Sequence, residues 1–187
     1  LVVDPARPTN TYGKLMSGGY NIPGQEILRT DTPTPPPISG AVEAAVMDQI
    51  RALASGVDAI VVVDQVGSVV TDAVIGAVVQ AARQHKLVTV GDSRGIAHRF
   101  TGFDVVVPND REAGLATGID VTDDATLAEA GGRLLKSASS ALITRGPHGI
   151  AVFEPGRPMR NVPVPPCKVV DVTGAGRVTS AKLAFKS

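Results

Sequence analysis

Two glycines separated by an alanine, near the end of the chain, form the pattern in this sequence best suited to binding an anion. Gly174, Ala175 and Gly176 follow a predicted strand and precede a predicted helix. Because none of the three carries a bulky side chain, successive backbone N–H groups can point toward one phosphate, and a helix N-terminus adds a favourable dipole. The segment therefore predicts a phosphate-binding site.

Polar clusters follow five predicted strands, and ligands of open α/β sheets bind beyond the carboxyl ends of the strands. Strand-to-helix turns are polar in any case, because Asp, Asn, Ser and Gly favour caps and turns. A single cluster therefore decides nothing, whereas five at one edge favour a site that handles phosphate. The clusters are residues 64–65, 92–94, 109–112, 144–146 and 171–176.

Asn109 and Glu112 lie one helical turn apart in the third cluster and share a helix face. A carboxylate at this place could hold a magnesium ion through water, an arrangement that hard cations favour. The alternative is a plain capping arrangement, in which the two side chains bond to the helix backbone. The sequence leaves both interpretations open.

The segment from Thr144 to Gly149 presents a similar choice. The hydroxyl of Thr144 and the guanidinium of Arg145 could meet a polyphosphate. The alternative is a simple hairpin, with Gly146 and Gly149 in the turn between two strands. The three histidines are scattered, with no cysteine or carboxylate at zinc-like spacing.

Strands and helices alternate from Gly40 onward, which predicts βαβ units and a mostly parallel sheet. We divide the chain into residues 1–39, two short strands and a proline-rich connector, and residues 40–187, an α/β core that we expect to be incomplete at both ends. Strands are predicted at 58–63, 87–90, 103–107, 141–144, 149–153 and 162–164, and helices at 41–54, 71–84, 109–112 and 123–136.

Composition limits the classes of partner. The 187 residues carry 18 basic and 18 acidic side chains, so there is no basic field for nucleic acid and no polybasic run for a membrane surface. Only 3% of residues are aromatic, which disfavours base stacking. No apolar run is long enough to span a membrane, and a single cysteine fits a reducing compartment, the cytoplasm.

Three motifs in order, Asn-x-x-Glu, Thr-Arg-Gly-x-x-Gly and Asp-Val-Thr-Gly-Ala-Gly, resemble the ribokinase, or PfkB, family of carbohydrate kinases. The resemblance covers most of the chain from Gly40 and implies a ribokinase-like three-layer sandwich with a small β-lid near the N-terminus. It implies that Asn109 and Glu112 organise Mg²⁺ and phosphate. It also implies that the strand and turn containing Thr144, Gly146 and Gly149 bind the phosphates of ATP.

The same resemblance assigns roles to the final motif. Gly174, Ala175 and Gly176 match the anion hole that stabilises charge on the transferred phosphoryl group. Asp171 and Thr173 lie where some members bind a monovalent cation such as K⁺. The implied reaction is transfer of the γ-phosphate of ATP to a hydroxyl of a sugar or sugar phosphate.

Arg177 departs from the family pattern, because the anion hole should be followed by an aspartate that acts as general base. Arginine has no acceptor and keeps its proton in proteins. We therefore expect phosphoryl transfer to be impaired, and a kinase-fold protein that binds nucleotide or sugar phosphate in a regulatory role is the alternative. The family's N-terminal glycine-rich sugar-binding segment also has no counterpart here, so the sequence does not identify the sugar.

The early part of the chain resembles the kinase half of bacterial heptose kinase/adenylyltransferases. The matching residues are Lys14, the segment 25–31, and the segment 92–94 ahead of Asn109. The strands of residues 14–31 would cover the sugar or pair across a homodimer. The motifs of a dinucleotide-dependent oxidoreductase and of a P-loop kinase are both absent from the sequence.

Overall fold

The computed structural model describes residues 1–19, 22–65 and 68–164. Within these ranges it contains a two-stranded hairpin near the N-terminus and a six-stranded sheet with helices. The hairpin strands are β1 (Tyr12–Gly19) and β2 (Ile22–Asp31). The other elements are α1 (Gly40–Ala54), β3 (Ala59–Asp64), α2 (Asp72–His85), β4 (Val88–Ser93), β5 (Phe103–Val106), α3 (Asp110–Thr117), α4 (Asp124–Leu134), β6 (Ala138–Thr144), β7 (Ile150–Phe153) and β8 (Arg160–Val162).

The six strands of the larger sheet lie side by side in chain order, from β3 to β8. The pairs from β3 to β6 are parallel, whereas β7 and β8 are added antiparallel. Because parallel strands end on the same side of a sheet, the last residues of β3–β6 lie along one edge of the sheet. This carboxyl edge comprises residues 64–65, 93–94, 107–109 and 144–145. The mostly parallel sheet predicted from the sequence is confirmed.

Side-chain caps fix where the helices of the sheet domain begin. The Thr71 hydroxyl accepts a hydrogen bond from the Val74 N–H at 3.2 Å and starts α2. The Asp123 carboxylate accepts one from the Thr126 N–H at 2.8 Å and starts α4. Such caps satisfy backbone donors that have no partner inside the helix. Thr71 and Asp123 are also the first residues of the helices predicted at 71–84 and 123–136.

The core is divided between the two faces of the sheet. The larger cluster packs side chains of α2, α3 and α4 against one face, and it includes Phe100 and Phe103, whose ring centroids lie 4.8 Å apart. The smaller cluster surrounds Val90 and Val107 and consists of residues from the strands and the position after β5. Among the described residues, the helices thus pack against one face of the sheet and help to position the strand ends.

Two strands differ from the sequence prediction. The apolar run of β3 predicts burial on both faces, but β3 lies at the edge of the sheet that the described residues form, and Val61 is 38% exposed. β4 continues beyond Val90 to Ser93, because its pairing with β3 extends to the contact between Asp64 and Ser93. Asp92 and Ser93 are therefore buried strand residues, not members of a loop.

The N-terminal hairpin is longer than the two short strands predicted, and every residue of β1 is exposed. Residues 32–39 form no helix or strand, as the prolines predict. Ile38 anchors this connector: its side chain is buried, and its N–H donates to the Ser68 carbonyl at 3.0 Å. In the described part of the chain, no helix is both long enough and apolar enough to traverse a lipid bilayer.

Candidate functional site

The carboxyl edge brings together the predicted site residues that lie in the described ranges. Asn109 and Thr144 form a parallel β-bridge, and the Thr144 N–H donates to the Pro108 carbonyl at 2.9 Å. The Arg145 N–H donates to the Gly149 carbonyl at 2.8 Å. Segments that are separated in sequence therefore form one continuous surface at the ends of β5 and β6.

Asn109 and Glu112 form a reciprocal capping box at the start of α3. The Asn109 side-chain oxygen accepts from the Glu112 N–H, and the Glu112 carboxylate accepts from the Asn109 N–H, each at 2.9 Å. The structure thus contains the capping arrangement that the sequence left as an alternative. It does not exclude a second role, because an ionised carboxylate has about four lone-pair sites and the cap uses one.

The surroundings of Glu112 favour a nearby cation. Burial raises the pKa of the Glu112 carboxyl above its usual range, the Asn109 N–H opposes this shift, and the negative charge of Asp92 adds to it. The positive charge of Arg94 acts in the lowering direction. A half-buried carboxylate that feels a second carboxylate is stabilised in its charged form by any cation that approaches.

The described residues contain no group of three or more His, Cys, Asp and Glu side chains that could hold a metal ion. A fully protein-liganded cage is therefore not formed by this part of the chain. A hydrated Mg²⁺ is compatible with Glu112, because Mg²⁺ usually keeps several of its waters and takes only one or two carboxylates from a protein.

Arg145 has a partner that the sequence prediction did not identify. Its guanidinium forms an ion pair with Asp124 at 3.1 Å, and its side chain is only 18% exposed. Burial raises the pKa of the Asp110 carboxyl, and the charges of Arg145 and His148 oppose that rise. Arg145 thus pairs with the first residue of α4, and its charge also acts on the carboxyl of the first residue of α3. The contact with a polyphosphate stays a prediction.

Gly146 and Gly149 both adopt positive φ angles, 53° and 89°, around the short 3₁₀ turn Gly146–His148. A Cβ at Gly149 would collide with the Val162 carbonyl, so glycine there permits β8 to approach the turn. A Cβ at Gly146 would meet no atom within 4 Å. The turn is therefore tightly packed on one side and open at Gly146.

The remaining predicted site residues lie outside the described residues. These are Asp171, Thr173, Gly174, Ala175, Gly176 and Arg177.

Tyr12 contacts the carboxyl edge, although sequence reasoning did not identify it. Its hydroxyl donates to the Gln65 carbonyl at 3.1 Å, directly after the end of β3. Tyr12 and Gln65 are 53 positions apart and belong to no common motif, so no sequence signal was available. This contact joins the hairpin to the edge that carries the candidate site.

Comparison with known proteins identifies the family of this chain. Residues 38–181 match the model of the pfkB family of carbohydrate kinases. The chain belongs to the pfkB family. The resemblance inferred from the three motifs is thereby confirmed.

Two relatives of this chain are proteins named bifunctional protein HldE. The one from Geobacter sulfurreducens is 31% identical over 188 residues, which cover 99% of this chain and 37% of that protein. The one from Caulobacter vibrioides is 35% identical over 190 residues, covering 99% of this chain and 38% of the relative. The chain thus spans little more than a third of the length of these relatives.

Solved structures share the fold at low sequence identity. The tetrameric inhibited form of phosphofructokinase-2 from Escherichia coli matches 86% of this chain and 56% of its own, with a TM-score of 0.67 and 18% identity. Ribokinase from Arabidopsis thaliana, complexed with ribose and ATP, matches 86% and 52%, with a TM-score of 0.60 and 19% identity. This chain therefore has a ribokinase-like fold, with a small antiparallel sheet near its N-terminus.

Proposed function

We propose that this chain is the nucleotide-binding part of an ATP-dependent sugar kinase, which transfers a phosphoryl group to a hydroxyl of a sugar or sugar phosphate. The observation that carries the proposal is the contact of the Asn109–Glu112 capping box with Thr144 at the carboxyl edge. Ligands of α/β sheets bind at this edge. Family membership, and the ribose and ATP bound to the Arabidopsis ribokinase, support the same chemistry.

In the proposed reaction, the oxygen of a sugar hydroxyl forms a bond to the γ-phosphorus of ATP, and the bond from that phosphorus to the departing ADP oxygen breaks. The hydroxyl proton would pass to water, because Arg177 stands at the position of the family's general base and cannot accept it. Mg²⁺, when bound, neutralises charge on the phosphate oxygens. Glu112 would hold its water shell, and the N–H groups of Gly174, Ala175 and Gly176 would face the transferred phosphoryl group.

Arg177 determines how fast this reaction runs in our proposal. It takes the position at which the family has its general base, and it cannot accept the hydroxyl proton. A positioned base contributes roughly 10²–10⁴ in rate. Binding and positioning persist without it, so transfer would be slow. The second candidate function, nucleotide or sugar-phosphate binding without transfer, is favoured by this same residue.

A kinase assay tests both functions. Wild type and Arg177→Asp are compared across a panel of sugars and sugar phosphates by ADP release, and Mg²⁺-dependent binding of a non-hydrolysable ATP analogue is measured by calorimetry. We expect both proteins to bind the analogue, and the variant to turn over roughly 10²–10⁴ times faster. Binding without turnover in either protein would favour the regulatory function. Absence of analogue binding would contradict the kinase, and absence of sugar-phosphate binding as well, measured by the same calorimetry, would contradict the regulatory function.

We further propose that Asp171 and Thr173 hold a monovalent cation. A crystal structure of E. coli phosphofructokinase-2 contains potassium, which supports testing K⁺ first. The measurement is the rate of ADP release with K⁺ replaced by tetramethylammonium at constant ionic strength. An unchanged rate would contradict this assignment.

We also propose that two parts of the chain bind different substrates and that the protein forms a homodimer. Residues 1–39 would cover the sugar, and residues 40–187 would bind the nucleotide. The hairpin exposes Leu15 and Leu28, which are 59% and 54% exposed and paired across the two strands. Apolar pairs on a two-stranded sheet suit burial against a second copy. The single cysteine supports a cytoplasmic location for the protein.

A further inference from the structure

We propose that Tyr12 is a positioning residue that holds the β1–β2 hairpin at the carboxyl edge of the sheet and thereby sets where the hairpin meets the sugar. This inference rests on the proposed kinase function for its effect on substrate. Its structural basis, the attachment of the hairpin to the end of β3, can be tested without substrate.

The attachment is a hydrogen bond between two elements of different sheets. The Tyr12 hydroxyl donates to the Gln65 backbone carbonyl at 3.1 Å. Gln65 directly follows Asp64, the buried last residue of β3, so the acceptor lies one residue beyond the end of the strand. Because the acceptor is a backbone carbonyl, its position follows from the end of β3 and not from a side-chain rotamer.

A second contact restrains the tyrosine ring. The Arg29 guanidinium lies over the ring, 4.8 Å from its centroid. Asp31 in turn holds Arg29 through two hydrogen bonds, of 2.6 and 2.9 Å. A cation over an aromatic face is attracted by the ring quadrupole. Arg29 and Asp31, both on β2, thus restrain the ring of Tyr12, whose hydroxyl contacts Gln65.

The hairpin needs such an attachment, because an isolated two-stranded sheet is at best marginally stable. The bonds at its base join the hairpin to itself: the Thr32 N–H donates to the Thr11 carbonyl at 3.1 Å, and the Thr11 N–H to the Thr32 hydroxyl at 3.0 Å. They close the hairpin but do not set its direction. The far end of the connector is held by a hydrogen bond from the Ile38 N–H to the Ser68 carbonyl. Ser68 belongs to the connection between β3 and α2, which also contains Gln65, the partner of Tyr12.

The position of the bond predicts which substrate is affected. Tyr12 meets the end of β3, whereas the proposed nucleotide residues Asn109 and Thr144 lie at the ends of β5 and β6, two to three strands away. Loss of the hydroxyl should therefore alter the fit of the sugar and leave ATP binding intact.

Tyr12→Phe tests the proposal, because it removes the hydroxyl and retains the ring beneath Arg29. We expect faster hydrogen exchange of the amides of residues 12–19 and 24–31, and a KM for the sugar that rises roughly fivefold, the factor supplied by one ordinary hydrogen bond. The KM for ATP should not change, and the Tm should fall by no more than about 2–4 °C, the shift produced by about 1 kcal/mol in a chain of this size. Tyr20→Phe, the same chemical change at the only other tyrosine in the sequence, is the matched control.

Several results would overturn the proposal. Unchanged hairpin exchange in Tyr12→Phe would show that the bond does not hold the hairpin, as would an equal increase in Tyr20→Phe. Faster exchange with an unchanged KM for the sugar would reject the positioning role. If the wild type phosphorylates no sugar in the panel, the proposed function fails, whereas the exchange comparison still decides whether Tyr12 attaches the hairpin.

Discussion

Glu112 is subject to opposing influences on its protonation. As a capping residue in the first turn of α3, its carboxylate accepts the Asn109 N–H and benefits from the helix dipole. Burial, together with the negative charge of Asp92, disfavours the ionised form more strongly and raises its pKa. A cation at the carboxyl edge would relieve this conflict, which is a physical reason to expect magnesium there.

Glu112→Gln should separate the stability of the protein from its activity. The raised pKa means that ionised Glu112 destabilises the folded state at pH 8, and that this cost disappears as the pH falls below the pKa of the unfolded chain. The variant should therefore have a higher Tm than wild type at pH 8, with the difference shrinking toward pH 4. Its activity should fall roughly 10- to 100-fold at limiting Mg²⁺, because an outer ligand is lost.

Glu129→Gln is the control for this change. Glu129 is exposed on α4 and pairs with Arg133, so its loss should change activity little and stability by less than about 1 kcal/mol. Thermal unfolding from pH 4 to 8 and a magnesium titration of the kinase rate supply the measurements. Wild-type activity of Glu112→Gln at limiting Mg²⁺ would contradict the metal assignment.

Residue types and spacing are sufficient to single out Asn109 and Glu112, but they do not distinguish a cap from a metal site. The reason is that the same two side chains can serve both purposes. The ion pair of Arg145 with Asp124 could not be predicted from the sequence, because it depends on how α4 packs beside the end of β6. Partners brought together by tertiary packing leave no local pattern.

At the scale of elements, α4 meets the sheet through a glycine. Gly131 is buried, and a Cβ at this position would overlap the ring of Phe153 on β7. The neighbouring Gly132 faces outward, and a Cβ added there would meet no atom within 4 Å. Contact with Phe153 therefore requires a glycine at position 131, whereas no neighbouring atom requires one at position 132.

Gly131→Ala and Gly132→Ala should consequently act in opposite directions. The first forces a methyl group into a packed interface and should destabilise the protein by about 1–3 kcal/mol. The second improves helix propensity at an open site and should stabilise it by up to about 1 kcal/mol. Urea unfolding measures both, and a shift of the two variants in the same direction would contradict the packing described for α4.

The helices and most strands were predictable from periodicity and capping residues, since these signals are local. The length of β4 was not, because Asp92 and Ser93 belong to the strand through pairing with β3. The position of β3 at the edge of the described sheet was also not predicted, because an apolar run shows that a strand can be buried but does not show which strands lie beside it. Pairing between strands decides both features.

At the scale of the whole molecule, the exposed leucines of the hairpin are the basis for the proposed dimer. Replacing Leu15 and Leu28 together by Glu should convert a dimer to a monomer, because it would place four charges in one apolar interface. Light scattering after gel filtration measures the mass. Leu115→Glu, which changes an equally exposed leucine on α3, should leave the dimer intact. A wild-type monomer at micromolar concentration would contradict the proposal.

The overall architecture was predictable because alternating strands and helices permit few arrangements. The attachment of the hairpin through Tyr12 was not, since it joins residues of two separate sheets. Composition excluded classes of partner and did not identify a site. The candidate site was therefore predictable as a set of strand ends, whereas the contact that links the hairpin to those ends depends on tertiary packing.

The sequential order of strands in the larger sheet has a consequence for biosynthesis. Each strand from β4 to β8 pairs with the strand made immediately before it, so each of these described pairings can form once its second strand has been made. Pairing between successive strands closes smaller loops than pairing between strands far apart in the chain, and so lowers the entropy lost on loop closure. The sheet can therefore grow strand by strand while the ribosome is still translating the chain, limiting the time that unpaired apolar strands are open to aggregation.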